Sequence, residues 1–329
     1  MQANGYDMKT HRQHFLLSAK ARTLSLKTVF RMGEEAAYNL FCQMRWPETE
    51  GEAVCPRCGC VETYDIATRR RFKCVACYHQ FSVTSGTIFA SRKLSYTDLL
   101  AAIVIFVNGA KGVAALQLSR DLDCQYKTAF VLTHKLREAM AKEQAGAKLD
   151  GIVEIDGAYF GGYVKPENEK ADRKDLRLKA NRSGKRQCVV IMRERNGRSL
   201  PFIVRHEGDA VPLVRDHVGT LATIYADEGT GWDDLHAGWD TYRVNHSERF
   251  MDKGVCTNQA ESYFSRLRRM EVGTHHHIAG KYLNAYAGEA AWREDHRRTD
   301  NGNQAAMVGF AAMASKQSRQ WAGYWQRAA

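Results

Sequence analysis

The amino-acid sequence predicts a mixed α/β protein with one large sheet in its C-terminal half and smaller modules before it. Three observations predict this class: two pairs of cysteines come early, helical spacing follows them, and strand and helix patterns alternate from Gly151 onward. At 329 residues the chain has room for two or three domains. Hydrophobic residues make up 44% of it, which is enough to build sizeable cores.

The order of these patterns predicts five parts. Residues 1–28 are basic and lack the apolar core of a secretory signal, so we interpret them as a loose leader. A helix is predicted at 34–46, where Pro47 ends the pattern. We therefore expect a leader (1–28), a helix with a cysteine module (29–90), a helix-turn-helix region (91–148), an α/β domain (149–298) and a poorly specified C-terminal tail (299–329).

Two Cys-x-x-Cys pairs, Cys55/Cys58 and Cys74/Cys77, are separated by fifteen residues. Two such turns on facing hairpins bring four thiolates into tetrahedral geometry, which predicts a closed structural Zn²⁺ site in a zinc ribbon. Cys60 is an alternative to Cys58, but the two-residue spacing favours Cys58. A redox dithiol would need only one pair.

Helical spacing from 94 to 143 includes two stretches separated by residues 121–125, the layout of a helix-turn-helix. In the second stretch Ala129, Leu132 and Leu136 share one stripe and are expected to face the core. The remaining polar residues are then expected to face outward: Lys127, Thr128, His134, Lys135 and Arg137. A solvated face of a three-helix bundle is the plain alternative, but the short preceding turn favours a DNA-recognition helix.

The charge balance indicates a polyanionic partner. A net charge of +11 and a pI near 9.2 favour nucleic acid. No apolar run approaches the ~18 residues that span a bilayer, so no membrane partner is expected. The nine cysteines show no disulfide framework, which predicts a reducing, cytoplasmic location.

Basic residues in three places are expected to contact DNA phosphates. The ribbon carries a basic edge, the second helix of the helix-turn-helix is basic, and the polar stretch 165–186 holds nine Lys/Arg against four Asp/Glu. The residues predicted to bind DNA are Arg69, Arg70, Arg71, Lys127, Lys135, Lys174, Arg177, Lys179 and Arg182.

The α/β domain is predicted as strands at 152–160, 187–193 and 199–206, a helix at 211–218 and a strand at 222–226. A short helix at 232–237, a strand at 242–245 and helices at 258–270 and 278–295 complete it. Three strands, a helix, a strand, a helix and a strand are typical of the three-layer ribonuclease H-like fold.

Carboxylates occupy unusual places in this domain. Glu154 and Asp156 point to the same face of the first strand, and Asp227 ends the fourth. Because these strands are neighbours in the predicted topology, the two aspartates can share a cation. Glu261, on the helix at 258–270, is the third candidate. Three convergent carboxylates suit a two-metal phosphoryl-transfer site that binds Mg²⁺ or Mn²⁺. Glu154 either supports these acids or pairs with Lys or Arg.

Several motifs, in order, resemble those of DDE transposases of bacterial insertion sequences that carry an N-terminal zinc ribbon, the ISXO2-like group. The motifs are CPRCG, FSVTSGTIFASRKLS, ALQLSRDLDCQYKTA, VEIDGAYFGG, NQAESYFSRLRR and HHHIAGKYLNAYAGEAAWR, and the resemblance spans residues 29–298. By position it implies that Asp156 and Asp227 are the two family aspartates and Glu261 the third acid. Arg268 falls where the family places a basic residue, often Lys.

The resemblance also implies an activity and partners. It implies a metal-dependent endonuclease and strand transferase that acts on double-stranded DNA, both at the ends of its own element and at the target. It implies a homodimer or higher oligomer on DNA, associated with the bacterial nucleoid. Two alternatives stay open. One is a DNA-binding regulator derived from a transposase, against which the intact acids argue; the other is a nuclease of the same fold without strand transfer.

Overall fold

The computed structural model describes residues 14–161, 167, 169–174, 184, 186–244 and 255–324. The chain first forms helix α1 (Leu26–Arg45), which begins at Ser25, whose hydroxyl accepts a hydrogen bond from the backbone N–H of Thr28. At Gly33 the backbone takes a φ of 78° and interrupts the helix, a conformation that glycine adopts without steric cost. No helix in the described ranges is long and apolar enough to cross a bilayer.

The cysteine module is a small antiparallel sheet of β1 (Thr63–Ile66), β2 (Arg71–Cys74) and β3 (Gln80–Phe81). It packs against the end of α1, where the Trp46 ring meets the rings of Phe72 and Phe81 edge-on. The module therefore shares a hydrophobic core with α1 and is not a separately folded domain.

Three helices follow: α2 (Tyr96–Asn108), α3 (Ala115–Asp121) and α4 (Tyr126–Gln144). The tail predicted after residue 299 is instead largely ordered, because α8 (Asn301–Ala314) packs into the same core as α1, α2 and α4. Asp300 caps this helix by accepting a hydrogen bond from the backbone N–H of Asn303 at 3.1 Å. Its small residues allow close packing: Ala305, Val308 and Ala312 are buried.

The predicted outward face of α4 is wrong at two positions. His134 is 1% exposed and Arg137 is 2% exposed, since α7 (Leu283–Asp295), α8 and the C-terminal residues cover this helix. Arg137 pairs with the buried carboxylate of Glu289 at 2.6 Å, and His134 stacks on the ring of Trp321. The helical stripe alone could not reveal partners that come from more than 140 residues further along the chain.

The C-terminal half forms a five-stranded sheet in the order β6-β5-β4-β7-β8. β4 (Ile152–Gly161), β5 (Arg186–Glu194) and β6 (Ser199–Val204) form an antiparallel meander. β7 (Thr223–Asp227) runs parallel to β4, and β8 (Asp240–Val244) runs parallel to β7. This topology confirms the predicted ribonuclease H-like fold, and the predicted strand bounds differ from the observed ones by at most two residues.

Helices cover both faces of this sheet. On one face α5 (Val211–His217) closes one apolar core; on the other, α6 (Asn258–Met270) and α7 (Leu283–Asp295) close a second. The short helix predicted at 232–237 is a 3₁₀-helix over Thr230–Ala237. The helix predicted from residue 278 becomes α-helical only at Leu283, after a 3₁₀ turn at Gly280–Tyr282.

Candidate functional site

The first candidate site is the cluster of four cysteines in the ribbon. The sulfurs of Cys55, Cys58, Cys74 and Cys77 all lie within 4.8 Å of one another, with Cys55–Cys77 at 3.6 Å and Cys58–Cys74 at 3.5 Å. Four sulfurs at ~2.3 Å from a tetrahedral Zn²⁺ would be about 3.8 Å apart. The donor set and spacing therefore fit one structural zinc ion.

The surroundings of the cluster favour a thiolate at Cys74. The backbone N–H of Cys77 donates to the sulfur of Cys74 at 3.5 Å, and this bond is the main cause that lowers the pKa of Cys74 to about 6. Cys60 lies outside the cluster, and its sulfur donates to the carbonyl of Glu62 at 3.6 Å. The structure thus brings together the four cysteines that the two-residue spacing selected.

The second candidate site lies at the C-terminal end of β7. β4 and β7 pair in parallel up to Ile155 and Ala226, so Asp156 and Asp227 are the next residues on two neighbouring strands. The Asp156 carboxylate accepts a hydrogen bond from the backbone N–H of Gly157 at 2.7 Å, and the Asp227 carboxylate accepts one from that of Gly229. Each aspartate therefore has one oxygen fixed by the backbone, at the point where the pairing of β4 and β7 ends.

Negative charge accumulates around Asp156. The pKa of its carboxyl is raised to about 6, first by burial and then by the charges of Asp227, Glu207 and Glu261, against the lowering effect of the Gly157 N–H. The charges of Asp227 and Glu261 both act on Asp156, while among the described residues the oxygens of these three acids are not gathered within 4.8 Å of one another. A cation bound there would relieve this repulsion.

Glu261 is exposed in the first turn of α6. The first turn of that helix is held by Glu154, a fully buried carboxylate that accepts hydrogen bonds from the backbone N–H groups of Gln259 at 2.8 Å and Ala260 at 3.1 Å. Arg195 also donates to Glu154, at 2.9 Å. Both roles considered for Glu154 are therefore present: it pairs with an arginine, and it supports the helix that carries the third acid.

Arg268 is exposed two turns further along α6 than Glu261. Its guanidinium carbon lies 5.9 Å from the centre of the Phe264 ring, which is within the range of a cation–π contact. The structure describes no ion pair for Arg268.

One acid at the site was missed by the sequence reasoning. Glu207 opens the short 3₁₀-helix before α5, and three glycines make room for its side chain. A Cβ atom at Gly157 would lie 2.5 Å from Glu207 Cγ, one at Gly231 would lie 3.1 Å from Glu207 Cβ, and one at Gly229 would lie 3.6 Å from Glu207 Oε2 and 3.2 Å from Asp227 Oδ1. Burial, followed by the charge of Asp227, raises the pKa of Glu207.

The predicted DNA-binding residues have different environments. Arg69, Arg71, Lys127 and Lys174 are exposed, and Lys135 is half-buried beside Lys127 in the wall of a cavity of about 140 Å³. Arg70 instead joins the ribbon to α1 through Glu34 at 3.3 Å and Glu35 at 2.9 Å. The other three predicted contacts lie outside the described residues: Arg177, Lys179 and Arg182.

The carboxylate site fits divalent cations in donor type. Oxygen ligands are those that Mg²⁺ and Mn²⁺ prefer, and Mg²⁺ keeps several waters, so few protein ligands are needed. In the part of the chain that the structure describes, the four cysteines are the one group of three or more ligand atoms gathered within 4.8 Å. The acids at the sheet edge are thus more open than the cysteine site.

A zinc ribbon, a helical module and a ribonuclease H-like domain with acids at the sheet edge together define the transposase class of nucleic-acid enzymes. Comparison with family models agrees. Residues 148–295 match the ISXO2-like transposase domain, and residues 32–80 match the transposase zinc-ribbon domain. Together these segments cover more than half of the chain, which belongs to the ISXO2-like transposase family.

Comparison with individual proteins adds little. No curated protein matches the chain. Among solved structures it is similar to the crystal structure of the Mos1 strand transfer complex, with 11% sequence identity over 65% of this chain and 78% of that one. The TM-score is 0.24, which is too low to support an assignment of fold or function.

Proposed function

We propose that the chain is a metal-dependent transposase that cleaves DNA at the ends of its element and joins the freed 3′ ends to target DNA. One observation carries this proposal: Asp227 and Glu261 both act on the pKa of Asp156, inside a domain of the transposase family. These acids come from β4, β7 and α6, three segments that are separate in the sequence.

In this proposal Asp156, Asp227 and Glu261 hold Mg²⁺ or Mn²⁺. When bound, such ions activate the attacking oxygen and stabilise the leaving oxygen of the phosphodiester. The protein contributes orientation: the N–H groups of Gly157 and Gly229 fix one oxygen of each aspartate and leave the others directed to the ligand. Arg268 adds positive charge on the same helix, where it can contact a DNA phosphate.

The other modules bind and position DNA in this proposal. Zinc holds the shape of the ribbon, whose exposed Arg69 and Arg71 contact phosphates. Lys127, at the exposed start of α4, and Lys174 add further phosphate contacts. Arg70 is not among these contacts, because Glu34 and Glu35 engage it. A homodimer on DNA would bring two element ends together.

The decisive test uses a plasmid that carries the inverted repeats flanking the gene, a second plasmid as target, and Mg²⁺ or Mn²⁺. A transposase produces end-specific 3′ cleavage and a joined product between the plasmids. Cleavage without joining would identify the nuclease alternative. DNA binding without cleavage, in the wild-type protein as in Asp156→Asn, would identify the regulator and overturn the proposal.

A further inference from the structure

We infer that a cavity lined by arginines, between the helical module and α6 and α7, binds a backbone phosphate of DNA. This inference rests on the proposed function and names a second binding position for the same substrate. The cavity has a volume of about 310 Å³ and is bounded by the C-terminal end of α2, by α6 and α7, and by residues before α1. Four arginines line it: Arg22, Arg266, Arg293 and Arg297.

The charged side chains that line the cavity are all basic in the described part of the chain. Among the described residues, no acidic side chain lines the cavity. Behind the walls are two buried carboxylates, Glu289 and Glu294, which pair with five guanidinium groups at 2.6–3.2 Å. The five partners are Arg137, Arg293, Arg193, Arg266 and Arg297. Three of these five guanidinium groups, those of Arg266, Arg293 and Arg297, line the cavity.

The polar amides of the cavity do not offset this charge. The side-chain oxygen of Asn301 accepts hydrogen bonds from the backbone N–H groups of Thr23 and Leu24, and its amide nitrogen donates to the side chain of Asn108. Gln304 donates to two backbone carbonyls. The engaged amides offer no charge of their own, so the four arginines set the electrostatic potential of the cavity, and a positive potential suits an anion.

The four arginines differ in how firmly they are held and in how exposed they are. Arg266 and Arg293 are held by carboxylates and by backbone carbonyls at and just after the end of α2, so they form a fixed wall. Arg297 is 48% exposed, and Arg22 is exposed at the rim. Guanidinium groups match the geometry of phosphate with paired N–H donors. A cavity of this volume admits a phosphodiester together with water.

The position of the cavity favours DNA over free phosphate as the source. Arg266 is on the same helix as Glu261, five residues and about 7.5 Å further along its axis. Five residues turn a helix by about 140° past one full turn, so the two side chains point to different sides of α6 and a duplex bound at the acids reaches the cavity by extending around this helix. Inorganic phosphate shares the chemistry of the ligand, and the experiment separates the two.

The test replaces the two rim arginines together, Arg22→Gln with Arg297→Gln, and leaves the fixed wall intact. The matched control replaces two exposed arginines on α1 and α5, Arg31→Gln with Arg215→Gln, so that the net charge is the same. Duplex affinity is measured in EDTA over a range of salt concentrations, which keeps the assay independent of cleavage. Inorganic phosphate is titrated separately by calorimetry, and circular dichroism checks the fold of each variant.

We expect the rim variant to reduce the slope of log K against log salt by about 0.9 for each phosphate that it no longer neutralises, and the control to change the slope less. An equal change in both variants would mean general charge attraction and would overturn the inference. Loss of phosphate binding with an unchanged DNA slope would also overturn it, in favour of a free anion. If the wild-type protein binds no duplex at all, the proposed function itself fails.

Discussion

The buried carboxylate of Glu154 accepts a hydrogen bond from the backbone N–H of Ala260, the residue directly before Glu261, at 3.1 Å. Glu154 is on β4, two residues before Asp156. This short segment of β4 therefore carries both Asp156 and the carboxylate that holds the first turn of α6, the helix of Glu261. Arg195 completes the arrangement by donating to Glu154 and to the carbonyl of Cys256. The spacing between β4 and α6 is thus set by a charged hydrogen-bond network.

Glu154→Gln tests this network. The amide oxygen can replace only one acceptor, and its NH₂ group would face Arg195, another donor. We expect the free energy of unfolding to fall by about 2–3 kcal/mol, since a buried charge pair loses one partner. We also expect a higher Mn²⁺ concentration for half-maximal cleavage, because Arg195 loses its charged partner and the network that positions α6 and Glu261 is weakened.

Stability and cleavage are to be measured together for Glu154→Gln. Its control is Glu228→Gln, which changes an exposed acid beside the site. A purely structural role would lower stability and leave the metal requirement of the folded fraction unchanged. That outcome would contradict the positioning role.

Asp156→Asn tests the proposed metal ligand. We expect cleavage to fall by several orders of magnitude, since metal stabilisation of a transition state contributes several kcal/mol. Stability should rise by about 1–3 kcal/mol, because the raised pKa of Asp156 reflects burial and repulsion that the neutral amide avoids. Asp227→Asn should lose cleavage alike, and the double variant should be scarcely worse, because the residues act as a unit.

Duplex binding in EDTA serves as the control for these variants and should equal that of the wild type. Full cleavage by Asp156→Asn would exclude this residue as a metal ligand.

Much of the fold was predictable because apolar periodicity decides it. β4 and β7 are largely apolar strands, and the acids that they carry, Glu154 and Asp156 on β4 and Asp227 at the end of β7, also mark the site. Glu207 could not be found in this way. Its place depends on three glycines in two separate segments that make room for it, and a single acid after a strand carries no such information.

The errors on α4 and α8 have a related cause. Buried Arg137 and His134 look like surface residues in a helical stripe, because their partners Glu289 and Trp321 are far away in sequence. The alanine-rich α8 has few large side chains, so its pattern is weak, although small residues let it approach the other helices closely. Contacts between residues far apart in the sequence determine both the burial of His134 and Arg137 and the packing of α8.

Glu207→Gln tests whether the fourth acid contributes to the site. Removing its charge relieves one source of repulsion on Asp156, so we expect the pKa of Asp156 to fall below about 6. If Glu207 also helps to attract the cation, calorimetry should show weaker Mn²⁺ binding, by roughly tenfold for the removal of one charge interaction of about 1.4 kcal/mol. Asp209→Asn, an exposed acid on the same 3₁₀-helix, is the control. Unchanged Mn²⁺ affinity in Glu207→Gln would exclude this role.

Zinc removal tests the ribbon. We expect about one Zn²⁺ per chain, and we expect Cys74→Ser to lose the metal and unfold the ribbon, because so small a module has too little core of its own. The five-stranded sheet should remain folded. Metal analysis with hydrogen exchange over residues 55–81 measures both effects. Cys60→Ser is the matched control, since its sulfur lies outside the cluster, and a folded ribbon in metal-free protein would contradict the prediction.

The buried histidines predict how stability depends on pH. Burial, followed by the charge of Arg137, lowers the pKa of His134 to about 3 and that of His275 to about 4. Both pKa values lie below the ordinary value of 6.5, so the unfolded chain binds more protons between pH 6.5 and about 4. Stability must therefore fall as the pH decreases through this window, by up to about 1.4 kcal/mol per pH unit for each histidine.

Replacing one histidine isolates its share of that slope. His134 stacks on Trp321 at 4.3 Å and contacts Tyr282 at 4.9 Å, so His134→Phe keeps an aromatic ring in an aromatic environment. We expect urea unfolding between pH 7.5 and 5.5 to show a shallower loss of stability in this variant. His236→Gln, at an exposed position, should keep the wild-type slope. A wild-type slope in His134→Phe would mean that the acid sensitivity arises elsewhere, such as at the zinc thiolates, which also bind protons as the pH falls.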